Sequence, residues 1–149
     1  MQKDILSQLL GLIPKDSGME LPPKVFLDMG GTFIGYEEGK SLTARFPNKN
    51  KYMNPFRLMQ GGIITAAIDN TISPLSYIVA PPSITKEIRT TYKRPVKESD
   101  VFIDVVATLV EKSLSEIILK AEVLNEKGKL VATAVAKAAI LRNVRKQLV

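Results

Sequence analysis

The stretch "NPFRLMQGGIITAAIDNTISPL", Asn54 to Leu75, decides how this chain is read. It opens polar, passes through Gly61 and Gly62, and continues as a run of apolar residues that includes Ile63, Ile64, Ala66, Ala67, Ile68, Ile72 and Leu75. On a helix these positions cover nearly the whole circumference, and a helix that is apolar all round is a buried one. Pro74 is expected to kink it or to end its first segment. One carboxylate, Asp69, interrupts the run. An isolated anion is costly to bury, so it must be paired, neutralised or given a cleft.

The glycine pair adds a second chemical feature. Glycine lets a ligand approach the backbone closely. The first amides of a helix have no intrahelical acceptor, and the dipole there favours negative charge. A carbonyl oxygen resting on the amide of Gly61 or Gly62 would be polarised as it becomes an oxyanion. Asp69, as base or nucleophile, lies two turns further on, roughly 12 Å along the axis at the α-helical rise. One chain can hardly present both groups to one small carbonyl, whereas two antiparallel copies of the helix can. Plainer readings stand beside these: Asp69 at a subunit interface or bonded to a loop amide, and Gly61-Gly62 serving only tight packing.

Working outward, residues 4–13 form a short amphipathic helix with Ile5, Leu9 and Leu12 on one face, stopped by Pro14. The connection "KDSGMELPPK" follows, then "GTFIGYEEGKSLTARF" as two strands about a turn at Glu38-Gly39, and then the loop "PNKNKYMNP". Beyond the long helix, "SITKEIRTTYKRP" alternates imperfectly, with Ile84, Ile88 and Tyr92 expected on one side. "VFIDVVATLV" and "LSEIILKAEVL" are strands separated by a tight turn at "EKS", residues 111–113. "KLVATAVAKAAIL" has helical propensity, but the hairpin signal "NEKGK" before it argues for a strand. The expected architecture is α+β: an antiparallel sheet of five or six strands wrapped around one long helix inserted after the second strand.

Composition narrows the chemistry. The 149 residues fit one domain. There is no cysteine and no histidine, which excludes disulfides, thiolate nucleophiles, a Ser-His-Asp triad and imidazole metal sites. Acid-base work falls to Asp, Glu, Lys or Tyr. The net charge of +6 fits a polyanionic ligand as well as a plain solvated surface. Basic residues concentrate at Lys86, Arg89, Lys93 and Arg94, and again at Arg142, Arg145 and Lys146. No zinc-finger spacing, aromatic RNA-binding motif or basic-region helix accompanies them, so nucleic acid is not the expected partner. "MQKDILSQLLGLIP" lacks the clean apolar core of a signal peptide, and no apolar run approaches the roughly 20 residues that span a bilayer. The expectation is a cytoplasmic protein with no membrane partner.

Asn54 six residues before Gln60, then Gly61-Gly62, then Asp69 nine residues after Gln60, resembles the motif of the PaaI-like acyl-CoA thioesterases, which have the hotdog fold. "TTYKRPVKESD" resembles the strand that follows in that family, and "NEKGKLVATAVAKAAI" is similar to its last hairpin and strand. The likeness runs from about residue 25 to near the end, making residues 1–149 a single hotdog domain whose residues 1–24 are the short helix and its connection. The resemblance implies hydrolysis of acyl-CoA thioesters by a homodimer or a dimer of dimers, with CoA part of the substrate and no separate cofactor or metal. By position, Asp69 would be the general base or nucleophile, Gly61 would offer its amide to the thioester oxygen, and Asn54 would orient the carbonyl or the attacking water. Thr85 falls where some members place a water-orienting hydroxyl.

Gln60 departs from the family, which usually has His there; glutamine donates a hydrogen bond but does not titrate. Arg94, with Lys93 and Arg89, would seat the CoA phosphates, since guanidinium suits phosphate. Leu58, Met59, Ile63 and Tyr77 are candidates for the acyl pocket, with ordinary core as their other role. The plain readings are a turn for Asn54, a helix cap for Gln60 and a solvated sheet edge for the basic residues. The alternative functions are a non-catalytic acyl-CoA-binding hotdog protein, a hotdog hydratase, which usually requires the missing histidine, and a basic nucleic-acid module.

Overall fold

The computed structural model describes residues 4–80 and 82–141. The second basic concentration, Arg142, Arg145 and Lys146, lies outside the described residues. Helix α1 (Ile5–Leu12) and a short helix α2 (Lys24–Asp28) lead into strands β1 (Thr32–Glu37) and β2 (Ser41–Pro47). A 3-10 turn (Asn50–Tyr52) precedes the long helix α3 (Gly61–Val79), and β3 (Ser83–Tyr92), β4 (Phe102–Lys112), β5 (Glu116–Asn125) and β6 (Leu130–Ile140) complete the chain. The six strands form one antiparallel sheet in the order β1-β2-β4-β5-β6-β3.

Helix α3 lies across the concave face and packs on β2 to β6. Its buried positions Ile64, Ala67, Ile68, Thr71, Ile72 and Leu75 repeat at the helical spacing of three and four. They meet the inward residues of β4 and β5, where Ile103, Val105, Ala107, Ile117, Leu119, Ala121 and Val123 alternate with outward ones. Two hydroxyls sink into this core because their own helix satisfies them. Thr71 Oγ1 donates to the Ala67 carbonyl at 2.8 Å, and Ser76 Oγ to the Ser73 carbonyl at 2.8 Å. The alanine-rich β6 is a strand because β5 and β3 pair with it on both sides, so tertiary pairing overrides helical propensity.

Four local expectations are corrected. Residues 24–28, from the last residue of the connection onward, are helical, because Phe26 needs burial: it stacks on Phe33 at 4.4 Å and meets Phe46 edge-on at 5.4 Å. Helix α3 neither stops nor splits at Pro74; Pro74, Leu75 and Ser76 are all buried, and their packing offsets the lost backbone bond. The β4–β5 turn falls after Lys112, at residues 113–115, where Ser113 Oγ accepts the Ser115 and Glu116 amides.

The fourth correction is a β-bulge. Thr85 pairs with Ala138 and Glu87 with Lys137, so Lys86 has no partner of its own on β6. Side-chain parity changes there. Before the bulge, Ser83 and Thr85 reach α3; after it, Thr90 and Tyr92 do. Ile84 therefore does not share a side with Ile88 and Tyr92.

Deleting Lys86 restores strict alternation, so the two halves of β3 can no longer both face α3. Loss of the Ser83–Ser76 contact, with a buried hydroxyl left unpaired, should cost about 1–3 kcal/mol. Urea unfolding of the deletion variant beside wild type measures it.

Candidate active site

Strand β3 runs back along α3 and touches both of its chemically interesting ends. Ser83 Oγ donates to Ser76 Oγ at 3.0 Å near the helix C-terminus. Thr85 Oγ1 donates to Asp69 Oδ1 at 3.2 Å at mid-helix. Thr65 Oγ1 donates to Thr90 Oγ1 at 3.1 Å one turn into the helix. Tyr92 Oη donates to the Gly61 carbonyl at 2.8 Å at the N-terminus and lies 2.7 Å from Thr65 Oγ1.

Asp69 is half-buried on the helix face turned away from the sheet core. Ser73, one turn on, also donates to Oδ1, at 3.1 Å. Both hydroxyls thus meet the same oxygen, and among the described residues none donates to Oδ2. Asp69 lines a cleft of about 390 Å³ with Asn70, Ser73, Tyr77 and Ile84 on one side and Met19 of the N-terminal connection on the other. The carboxylate is therefore oriented at one oxygen and open at the other.

Gly61 lines a second cleft, of about 410 Å³, with Asn54, Leu58, Met59, Tyr92, Lys93 and Arg94 among its walls. Gly61 is packed under the Tyr92 ring: a Cβ at position 61 would sit 3.0 Å from Tyr92 Cζ, so the phenol would have to move by a few tenths of an ångström to admit one. Neither Gly61 nor Gly62 donates its amide to an acceptor among the described residues, as expected at the start of a helix. Asn54 Oδ1 accepts the amides of Phe56 at 2.9 Å and Leu58 at 3.1 Å. Its carbonyl is committed to the turn containing Arg57, at φ 58°, which leaves Nδ2 as its donor.

Of the candidate residues, the structure brings Asn54, Gly61, Lys93 and Arg94 to one cleft, and Asp69 and Thr85 to one hydrogen-bonded group. The two clefts share no lining residue. Gln60 is exposed and stands at the N-cap position of α3, where its backbone carbonyl accepts the Ile63 amide at 2.9 Å while its side chain makes no capping bond. Arg89 lies outside both clefts and reaches Glu87 at 3.5 Å. Leu58 and Met59 line the Gly61 cleft, Tyr77 the Asp69 cleft, and Ile63 packs on the core. Among the described residues no three acidic groups gather closely enough to hold a metal ion, and no helix is long and apolar enough to cross a membrane.

No protein-family model and no curated protein matches this chain by sequence. Solved structures do match it. The E. coli PaaI protein of the phenylacetic acid degradation operon superposes with a TM-score of 0.75 at 15% identity, over 80% of this chain and 86% of that one. A phenylacetic acid degradation-related protein of Ralstonia eutropha gives 0.76 at 22% identity, over 93% and 100%. A mutant thioesterase of Pseudomonas aeruginosa gives 0.74 at 20% identity, over 93% and 94%. The fold is the hotdog fold. PaaI-like proteins are among its structural neighbours, as the motif around Gly61 and Asp69 implied.

Two residues that matter to this hotdog site were not singled out as polar contacts from the sequence. Ser73 carried a signal, since its i,i+4 spacing from Asp69 places both on one helix face. Tyr92 carried none, because its contact with Gly61 depends on the bulge. Tyr77 was read only as an apolar wall, yet its phenol is half-buried beside the acid. Burial raises its pKa above the ordinary value, the Asp69 charge adds to the rise, and the Ser73 hydroxyl partly offsets it.

A raised phenol pKa means that the folded state keeps a proton the unfolded chain releases near pH 10. The stability it contributes is fully present below that pH and is lost as pH rises through the folded value. Alkaline titration of the phenolate absorbance should show a component rising above pH 10 that is missing in Tyr77→Phe.

Proposed function

We propose that the protein hydrolyses acyl-CoA thioesters as a dimer, with Asp69 of one subunit and the Gly61 amide of the other flanking the same carbonyl. The observation that carries this reading is the division of one helix between two clefts. An oriented carboxylate lines one and free helix-start amides line the other, roughly 12 Å apart along the axis. The family resemblance and the thioesterases among the neighbours of the same fold support the choice of thioester over other carbonyl substrates.

Strand β3 supplies the means of assembly. It ends the sheet, and an edge strand of ten residues offers backbone groups to a second copy. Antiparallel pairing about a two-fold axis near the middle of β3 sets the Thr85 end of one strand beside the Tyr92 end of the other. Thr85 holds Asp69 and Tyr92 holds Gly61, so the acid of one chain moves toward the amides of its partner.

In that arrangement the thioester oxygen accepts from the Gly61 amide, with Asn54 Nδ2 as a further donor. Asp69 acts through Oδ2 while Ser73 and Thr85 hold Oδ1. As a base, it takes a proton from water; hydroxide adds to the carbonyl carbon and the oxyanion forms at the amide. The carbon–sulfur bond then breaks, and CoA thiolate leaves and is protonated. As a nucleophile, Oδ2 displaces the thiolate and water hydrolyses the resulting mixed anhydride. Gln60, at the mouth of the helix, contributes polarity without titrating.

Release of free thiol from a panel of short, medium, long and aryl acyl-CoAs tests the reading. Asp69→Asn should lower turnover about 10²–10⁴-fold; an unchanged rate removes Asp69 from the chemistry. No turnover of any acyl-CoA by wild type would leave an acyl-CoA-binding protein.

The shared site has its own test. Gly61→Pro removes the amide at the first helical position, where proline fits. Unfolded and refolded together in equal amounts, Gly61→Pro and Asp69→Asn should regain about a quarter of wild-type activity, because half of the dimers then hold one intact site. No recovery means that each site lies within one chain.

A further inference from the structure

The loop after β3 and the β5–β6 turn enclose a third cleft, of about 430 Å³. Its walls carry four cations, Arg94, Lys97, Lys127 and Lys129, against one carboxylate, Asp100. Asp100 is buried, and its Oδ2 accepts the Lys97 amide at 2.8 Å, which turns that charge into the loop. None of the four cations forms an ion pair among the described residues, whereas Arg45, Arg57 and Arg89 each meet a carboxylate. Like charges gathered in one concavity repel one another and favour a bound anion.

The supporting backbone is well fixed. Asn125 Oδ1 accepts the amides of Lys127 and Lys129, each at 3.0 Å, and Gly128 supplies the left-handed residue of the turn at φ 73°. Arg94 Nη1 donates to the Leu130 carbonyl at 3.0 Å. Arg94 and Pro95 also belong to the wall of the Gly61 cleft, so the two clefts adjoin.

We propose that this cleft binds the phosphates of the CoA nucleotide, with Lys97, Lys127 and Lys129 joining Arg94 as its anion donors. The proposal rests on the thioester reading above and extends it to the carrier. The nucleotide of CoA bears a monoester and a diphosphate, about four negative charges near neutral pH, which match the four cations. A thioester carried on a protein through phosphopantetheine has no nucleotide and would leave such a cleft unfilled. The extended pantetheine arm runs past Arg94, with the reacting carbonyl at Gly61 and the phosphates beyond. Lys93 stays on the carbonyl side, and Arg89 takes no part.

Calorimetric titration with adenosine 3′,5′-bisphosphate tests the site without requiring turnover. Wild type should bind it. The double variant Lys127→Glu/Lys129→Glu should bind at least about tenfold more weakly. Lys137→Glu, an exposed charge reversal on the sheet, should bind as wild type does. No binding by wild type, equal binding by the double variant, or displacement by pyrophosphate as effective as by the bisphosphate itself overturns the proposal. Loss of bisphosphate binding in the double variant, with no hydrolysis by wild type, keeps this site and sinks the hydrolase. Hydrolysis whose KM is the same for acyl-CoA and its 3′-dephospho form, and is unmoved by the double variant, keeps the hydrolase and sinks this site.

Discussion

Helix α3 and strand β3 are held in register by a row of polar contacts, and the placement of the candidate site residues depends on that register. Ser83–Ser76, Thr85–Asp69, Thr90–Thr65 and Tyr92–Gly61 are met in order as the strand runs back along the helix. A strand alternates every two residues, while a helix brings side chains to one face at every third or fourth. The two periods cannot match over ten residues without an adjustment. The bulge at Lys86 supplies it, changing parity once between the acid end and the amide end. Bulges near active sites commonly re-aim side chains, and here the re-aimed residues are the two that hold Asp69 and Gly61.

The second constraint is that a sheet can cover only one side of a helix. Positions 64, 67, 68, 71, 72 and 75 are buried against the strands, which leaves Asp69, Asn70, Ser73 and Tyr77 half-buried on the other side. The N-terminal connection partly covers that side, bringing Met19 opposite Asp69. The carboxylate is not sealed in the core; it lies in a largely apolar cleft, with two hydroxyl donors in place of a counter-ion.

This division was only partly legible in the sequence. The glycine pair, the acid and their spacing were visible, because they are exceptions to an apolar pattern and exceptions carry information. The strands of the second half were visible from alternation and from the turn residues around Gly128. The open face of α3 was obscured, because Thr71 and Ser76 look polar yet are buried through bonds to their own helix, while Ile63 and Ala66 look apolar yet are only partly buried. Helix α2, just after a glycine- and proline-rich connection, was hidden, since its cause is the distant pairing of Phe26 with Phe33 and Phe46. The contact of Tyr92 with Gly61 needs the bulge, and the four-cation cleft needs the approach of the β3–β4 loop to the β5–β6 turn. Neither approach leaves a local signature.

A chain without histidine or cysteine must obtain polarisation from geometry rather than from a titrating relay. The groups available for the proposed reaction are of that kind: helix-start amides, a carboxylate fixed at one oxygen, and an asparagine whose carbonyl is already bonded within its own turn. Preorganised dipoles of this sort act because they need not reorient as charge develops. Their effect depends on placement, and within the chain placement is set by the α3–β3 register. Gln60 fits the same logic. A neutral amide at the mouth of the helix keeps a hydrogen-bonding group where a titrating one would stand in the related motif, so the demand for precise positioning falls more heavily on Gly61 and on the Tyr92 that holds it.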